Sequence, residues 1–234
     1  MMNYEEYEAL EKERIQRNLK YMEEGVNFID LKMAYIDEGV KIGKGTTIYP
    51  CVVLEGDVTI GENCLIGQNT RIVDSVIGDG TKIQSSVILE SRVGNDTSVG
   101  PFAYLRPNST IGSGCKVGDF VEVKNSSMGD GAKASHLTYI GDSDVGERVN
   151  LGCGVVFVNY DGSKKYRSVV EDDAFVGCNS NLVSPVHVGK KAYIAAGSTI
   201  TTDVPDGALY VARARGKTLD GWVERRGILN KEKK

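Results

Sequence analysis

The chain has 234 residues, enough for one domain with short appendages, and its 28 Lys and Arg against 32 Asp and Glu leave a formal net charge of −4. That near balance supplies no basic stripe for nucleic acid, and no apolar run approaches the ~18 residues that a membrane-crossing helix needs. Glycine is abundant, at 28 residues, while aromatic residues make up only 7%, which fits a coil of many tight turns better than an aromatic-rich core. Five cysteines stand at positions 51, 64, 115, 153 and 178. An odd number with no C-x-x-C pair argues against a disulfide framework or a zinc site, so no metal is expected. The first residues, MMNYEEYEALEKERIQRN, are charged throughout and lack the apolar centre of a signal peptide. The chain therefore reads as cytoplasmic.

Residues 4–24 read as a helix. Asn3 stands in the capping position with Glu6 three residues on, and Gly25 supplies a stop. Tyr4, Tyr7, Leu10, Ile15, Leu19 and Met22 approximate one apolar face, expected to pack on the main body. Glu8–Lys12 and Glu13–Arg17 are spaced as i,i+4 ion pairs. The spacing divides the chain into a helical segment over 1–26, a repeat domain over 27–215 and a tail over 216–234.

From Ile42 a period of six takes over. Ile42, Ile48, Leu54, Ile60, Ile66 and Ile72 form one ladder. After a slip near Val76 and Ile77 a second runs through Val93, Val99, Leu105, Ile111, Val117 and Val123, and a third through Val170, Val176, Leu182, Val188, Ile194 and Ile200. A helix needs a period of 3.6 and an ordinary strand a period of two. A hexapeptide repeat is the signature of a parallel β-helix, in which each hexad makes one short strand and one turn and sends one aliphatic side chain to the axis. At three hexads per coil, residues 42–205 supply about nine coils. Between Phe157 and Val170 the spacing is 13 rather than 12, and the intervening NYDGSKKYRS is polar with a turn signal at Asp161-Gly162, so it reads as a loop ejected from the coil. The end of the chain leaves the rhythm and holds the single tryptophan, Trp222.

Chemistry is concentrated between Lys133 and Asp161. His136 is one of two histidines; such a residue is more often structural than catalytic, but a neutral imidazole with a reference pKa of about 6.5 suits a base that takes a proton from an amine. Arg106, Lys124 and Lys165 are each ordinary surface charges taken singly, and together are the kind of set that a sugar phosphate needs. His187 has no second histidine nearby, and two histidines in all exclude a three-histidine metal site from one chain.

The blocks Ala134-Ser135-His136-Leu137-Thr138-Tyr139-Ile140-Gly141-Asp142, Asn150-Leu151-Gly152-Cys153-Gly154 and Asn159-Tyr160-Asp161-Gly162 with Lys165 agree in order and spacing with one family. They resemble the acetyltransferase domain of the bifunctional UDP-N-acetylglucosamine pyrophosphorylase/glucosamine-1-phosphate N-acetyltransferase, over almost the whole chain. The resemblance implies an all-β fold, a left-handed parallel β-helix with an N-terminal α-helix, assembled as a homotrimer. It implies transfer of acetyl from acetyl-CoA to the 2-amino group of glucosamine-1-phosphate, a step toward UDP-N-acetylglucosamine and cell-wall precursors. By that likeness His136 is the base. Arg106, Lys124, Tyr139, Asn150 and Lys165 hold the amino-sugar phosphate. Cys153, Asn159, Tyr160, Cys178, Ala196 and Arg213 hold the coenzyme. Two positions depart from the family pattern: Cys153 stands where alanine is usual and Cys178 where serine is usual, so a role for position 153 falls to its backbone N–H, as an oxyanion donor. A site assembled between subunits would make activity depend on the trimer. No segment here matches the pyrophosphorylase half, so the expectation is a free-standing acetyltransferase without uridylyltransferase activity. The rival readings are an acyltransferase of the same fold with another amino sugar or nucleotide sugar as acceptor, and a non-catalytic protein that binds a partner through its first helix.

Overall fold

The computed structural model describes residues 3–227; residues 1–2 of the helical segment and 228–234 of the tail lie outside the described residues. A helix over Tyr4–Glu23 is followed by a coil of short strands that pair only with strands of neighbouring coils. Those strands build three parallel sheets of 11, 10 and 9 strands, which form the three faces of a parallel β-helix of about ten turns. The coil begins at Asn27–Phe28, earlier than the hexad ladder alone indicates.

The ladder residues are the axis of the coil. Ile48, Ile66 and Ile83 from the first sheet, Leu54, Ile72 and Ile88 from the second and Ile60, Ile77 and Ile111 from the third are all buried. Each buried aliphatic side chain contributes about 1.5–3 kcal/mol, so the columns are the main source of stability. Two residues before a ladder position the chain points inward again, and there it often places a small hydroxyl, such as Thr46, Thr81, Thr97 or Ser126. The hydroxyls of these four are satisfied by the backbone, while that of Thr70 has no partner. Thr97 Oγ1 donates to the Gly112 carbonyl (2.8 Å) and accepts from the Cys115 N–H (3.1 Å) one coil further on.

The slip in the hexad rhythm is real and recurs. Ile72–Ile77, Ile83–Ile88, Ile88–Val93, Val123–Met128 and Ile140–Val145 are buried neighbours along the chain separated by five residues instead of six. Coil length follows. In the first sheet Thr47 pairs with Leu65, Leu65 with Lys82 and Lys82 with Ser98, so each of these coils is shorter by a single position than the one before. Each five-residue corner carries one residue at positive φ, namely Asp74, Ser85, Glu90, Asn125 and Asp142, with φ between 43° and 49°. Short polar side chains dominate there because they tolerate the left-handed region best.

The first helix meets the coil through a different face from the apolar one read in the sequence. Tyr4, Tyr7, Leu10 and Met22 are exposed, and the residue fully buried against the coil is Asn18. The reason lies in what the helix covers, which is the carbonyl edge of the first coil. Asn18 Nδ2 donates to the carbonyls of Leu31 (2.9 Å) and Ala34 (3.0 Å), Arg14 to Lys32 and Ala34, Arg17 to Ile36 and the Tyr21 hydroxyl to Val40 (2.6 Å). An open sheet edge presents unpaired backbone groups, so its cap must donate hydrogen bonds. Arg14 and Arg17 are committed to this edge, and the ion pair the helix makes is Glu11–Arg14 (3.7 Å), not the i,i+4 pairs expected. The capping box at Asn3 and Glu6 forms as expected. At the other end, residues after Tyr210 leave the sheets and a short helix spans Trp222–Arg225.

Asn18→Ala should therefore destabilise the protein by about 1–3 kcal/mol, the cost of leaving the Leu31 carbonyl without its donor while Ala34 keeps only Arg14. Urea unfolding checks this; an unchanged midpoint would show that Asn18 contributes nothing to the cap.

Candidate active site

Parallel pairing in register decides which residues meet. In the first sheet Asp119 pairs with His136, and Ala134 with Leu151, which sets His136 level with Cys153. Leu151 pairs with Val176 and Val176 with Ile194, which sets Cys153 level with Cys178 and Cys178 with Ala196. Asp119, His136, Cys153, Cys178 and Ala196 thus stack along one corner, where the chain turns from the first sheet to the second. Arg213 joins its far end, with its Cδ beside Gly197. Tyr160 and Asn159 stand in the loop that leaves the second sheet after Val158.

This corner differs from the one that leads into the first sheet. There the backbone N–H groups of Glu62, Asp79, Asn95, Ser113, Glu147 and Lys190 each donate to a side-chain oxygen one coil further on, supplied by Asp, Asn or Ser. At Cys153 and Cys178 the next residues in the stack are Cys178 and Ala196, which offer no such oxygen. Among the described residues neither N–H meets an acceptor. The Cys153 and Cys178 N–H groups, with that of Ala196, are left open on the edge that also carries His136.

The second sheet carries the cations. Lys124 pairs in register with Gly141, and Arg106 lies one coil before Lys124. Arg106 is held by Glu122 (2.8 Å) and lies over the Tyr104 ring (5.9 Å). Tyr139 lies across the face because residue 141 is glycine: a Cβ there would strike the Tyr139 ring and hydroxyl. Lys165, in the ejected loop, lies against Lys124. The Lys124 ammonium beside it pushes the Lys165 amine below its ordinary range, and the Arg106 charge adds to the effect. Two ammonium groups and a guanidinium crowded in this way favour an anion between them. Asn150, by contrast, lies on the first sheet between Lys133 and Phe175, around the corner from this cluster.

Asp142 holds the cluster together, and sequence reasoning gave it no role. Its side chain is 9% exposed. It accepts from Lys124 Nζ at 3.2 Å on both oxygens, from Asn125 Nδ2 at 2.7 Å and from Asn159 Nδ2 at 2.5 Å. Asn159 also reaches the Tyr139 hydroxyl (3.4 Å). One buried carboxylate therefore ties a residue assigned to the sugar phosphate, Lys124, to one assigned to the coenzyme, Asn159. Burial pushes the Asp142 carboxyl up, but the hydrogen bonds from Asn125, Lys124 and Asn159 outweigh it and hold the group below the ordinary carboxylate range. The signal available in the sequence was position: Asp142 sits at a five-residue corner, one coil after the corner at Asn125.

The ejected loop is ordered by its own bonds. Ser143 stacks on Ser168 and Asn150 on Phe175, so the coil between them is the longest among the described residues. Asp161 accepts from the N–H groups of Ser163 (2.7 Å) and Lys164 (2.6 Å), and Tyr160 pairs with Lys165 in a single antiparallel bridge. Arg167, another residue the sequence did not single out, clamps the loop base by two bonds to Asp144 (2.6 and 2.5 Å) and one to the Asn125 carbonyl (3.0 Å). Cavities of about 580 and 560 Å³ lie between the first helix and the coil, and none of the residues assigned to the site lines either. Among the described residues no group of three or more His, Cys, Asp or Glu side chains gathers for a metal.

With this geometry the comparisons with known proteins fall into place. The family model of bacterial transferase hexapeptide (six repeats) matches residues 39–74 and 90–125, and that of the hexapeptide repeat of succinyl-transferase matches 168–202. The chain carries the repeat of the hexapeptide transferase family, and its coil is a left-handed parallel β-helix. The matches stop or start at the short corners of Asp74, Glu90 and Asn125, and those of Ser85 and Asp142 lie between the matches with the ejected loop, where the hexad is broken. The chain is similar to the bifunctional protein GlmU. It is 55% identical over 223 residues to that of Clostridium beijerinckii, covering 95% of this chain and 49% of the relative. It is 57% identical over 209 residues to that of Clostridioides difficile, covering 89% and 46%. The chain spans about half the length of the curated relatives it matches. The solved UDP-N-acetylglucosamine acyltransferases of Francisella novicida (21% identity, TM-score 0.50, 83% of this chain and 72% of that one) and Arabidopsis (19%, 0.51, 87% and 76%) share the fold.

The depressed Asp142 carboxyl fixes a sign. A lowered folded-state pKa gives stability that is present above the unfolded value, near pH 4, and is lost as pH falls through the folded one. Wild type should therefore be more stable than Asp142→Asn above about pH 4, with the gap closing in more acid solution. Thermal melts from about pH 2 to about pH 7 measure the gap; a constant difference would contradict the ionised hub.

Proposed function

We propose that this chain transfers the acetyl group of acetyl-CoA to the 2-amino group of glucosamine-1-phosphate, working as a homotrimer. The observation that carries the reading is the convergence at one corner. The edge with the open Cys153 and Cys178 N–H groups and His136 adjoins the face with Arg106, Lys124, Tyr139 and Lys165. The similarity to the bifunctional protein GlmU over 95% of the chain supports it.

The division of labour follows from the chemistry of each group. Lys124 and Lys165 take the phosphate, which relieves the repulsion between their own charges, and Arg106 adds a third cation. Tyr139, seated over Gly141, forms the floor beneath the sugar, and Asn150 reaches it from around the corner. The coenzyme lies along the corner, over Cys153, Cys178 and Ala196, with Arg213 at its far end and Asn159 and Tyr160 beside the thioester. As the amine attacks the thioester carbonyl, His136 takes the amine proton and the carbonyl oxygen gains negative charge. The Cys153 N–H, which has no acceptor among the described residues, donates to that oxygen. Such a donor is worth roughly 10²–10³-fold. The C–S bond then breaks, the His136 imidazolium returns the proton to the sulfur, and CoA leaves as the thiol.

Thiol release from acetyl-CoA should depend on glucosamine-1-phosphate and should be far weaker with glucosamine, which cannot use the lysine pair. His136→Ala should lower kcat by roughly 10²–10⁴-fold. A variant with wild-type turnover, or release indifferent to the phosphate, would overturn the assignment.

A further inference from the structure

His136 is not alone at its corner. Its Nδ1 lies 2.5 Å from Asp119 Oδ1, one coil earlier. The backbone is built around this pair. Of the strands in the first sheet only Lys116–Asp119 and Lys133–His136 run to four residues; the others have two. The extension consists of the ladder position that pairs Asp119 with His136. It is possible because residue 118 is glycine, since a Cβ there would strike the Ser135 carbonyl. Straight after the pair the chain turns through two bulky residues at positive φ, Phe120 at 55° and Leu137 at 48°. Bulky side chains rarely adopt that region, and residues held there cluster at functional sites. Phe120 stacks on Phe102 at 5.5 Å, which fixes the turn after Asp119.

We propose that Asp119 is a positioning residue for His136: its carboxylate accepts the Nδ1–H, which fixes ring orientation and tautomer and leaves the Nε2 lone pair to take the amine proton. This rests on the reading of His136 as the base. A carboxylate only accepts, so its partner nitrogen must be the one that carries hydrogen. It also steadies the imidazolium as the proton arrives. The facing groups are few. The bond from His136 keeps the Asp119 carboxyl low, Lys116 on the same strand adds to that effect, and Cys153 is level with His136 on the following coil. The second histidine provides an internal contrast. His187 meets Glu171 through Nε2 at 3.1 Å, which demands the opposite tautomer.

The test uses the whole chain and reads the tautomer directly. Long-range ¹H–¹⁵N spectra at neutral to alkaline pH resolve two imidazoles. His136 should show hydrogen on Nδ1 and a lone pair on Nε2, and His187 the reverse. In Asp119→Asn and Asp119→Ala the His136 preference should fade while His187 stays unchanged. In the acetyl-CoA assay, kcat of Asp119→Asn should fall about 10-fold or more, within the roughly 10²–10⁴-fold contribution of a base, with KM for both substrates little changed. Wild-type kcat in Asp119→Asn, or a His136 tautomer indifferent to residue 119, overturns the proposal. His136→Ala in the same assay keeps the two ideas apart: if it is inactive while Asp119→Asn is fully active, the base stands and the positioning role falls. If it is active, the base assignment itself falls.

Discussion

Everything in this protein depends on the parallel backbone ladder that joins each coil to the next. A ladder in register places residues one coil apart level with one another, so a site can be assembled from successive coils without any long-range fold. Asp119, His136, Cys153, Cys178 and Ala196 are brought to one corner by that rule alone. The buried aliphatic columns stabilise the ladder, and the side chains on the outside are free to carry chemistry.

The constraint also explains where the rhythm may break. A coil must close after three corners, but a corner tolerates five residues as well as six if one of them adopts positive φ. Three of the five short corners fall outside the site, and two, at Asn125 and Asp142, lie inside it. These two residues contact each other, and Asp142 also binds Lys124 and Asn159. The longest coil holds the loop that carries Lys165, closed at its base by Arg167 and Asp144. Two of the five short corners and the longest coil therefore lie where the proposed chemistry lies.

Much of this was legible in the sequence. The six-residue period identifies a β-helix, the break after Phe157 identifies the loop, and Asn3 with Glu6 identifies the helix start. Reading the helix face failed because periodicity finds apolar residues, whereas the edge of a coil asks for donors; Asn18, Arg14, Arg17 and Tyr21 meet that demand and Tyr4, Tyr7 and Leu10 do not. Asp119, Asp142 and Arg167 were silent for a different cause. Each acts chiefly on residues of another coil or across a corner, and that relation appears only once the five-residue corners have set the register. Asn150 is the assigned residue least joined to the rest, since it stands on the adjoining face.

The central claim is that the first-to-second-sheet corner holds the acetyl donor while the adjoining face holds the phosphate. A crystal structure of the chain with CoA and glucosamine-1-phosphate tests it most directly. The account predicts the CoA sulfur along the corner at Cys153, near His136, and the phosphate between Lys124 and Lys165. A coenzyme lying along either of the other two corners, or a phosphate away from the lysine pair, would contradict it.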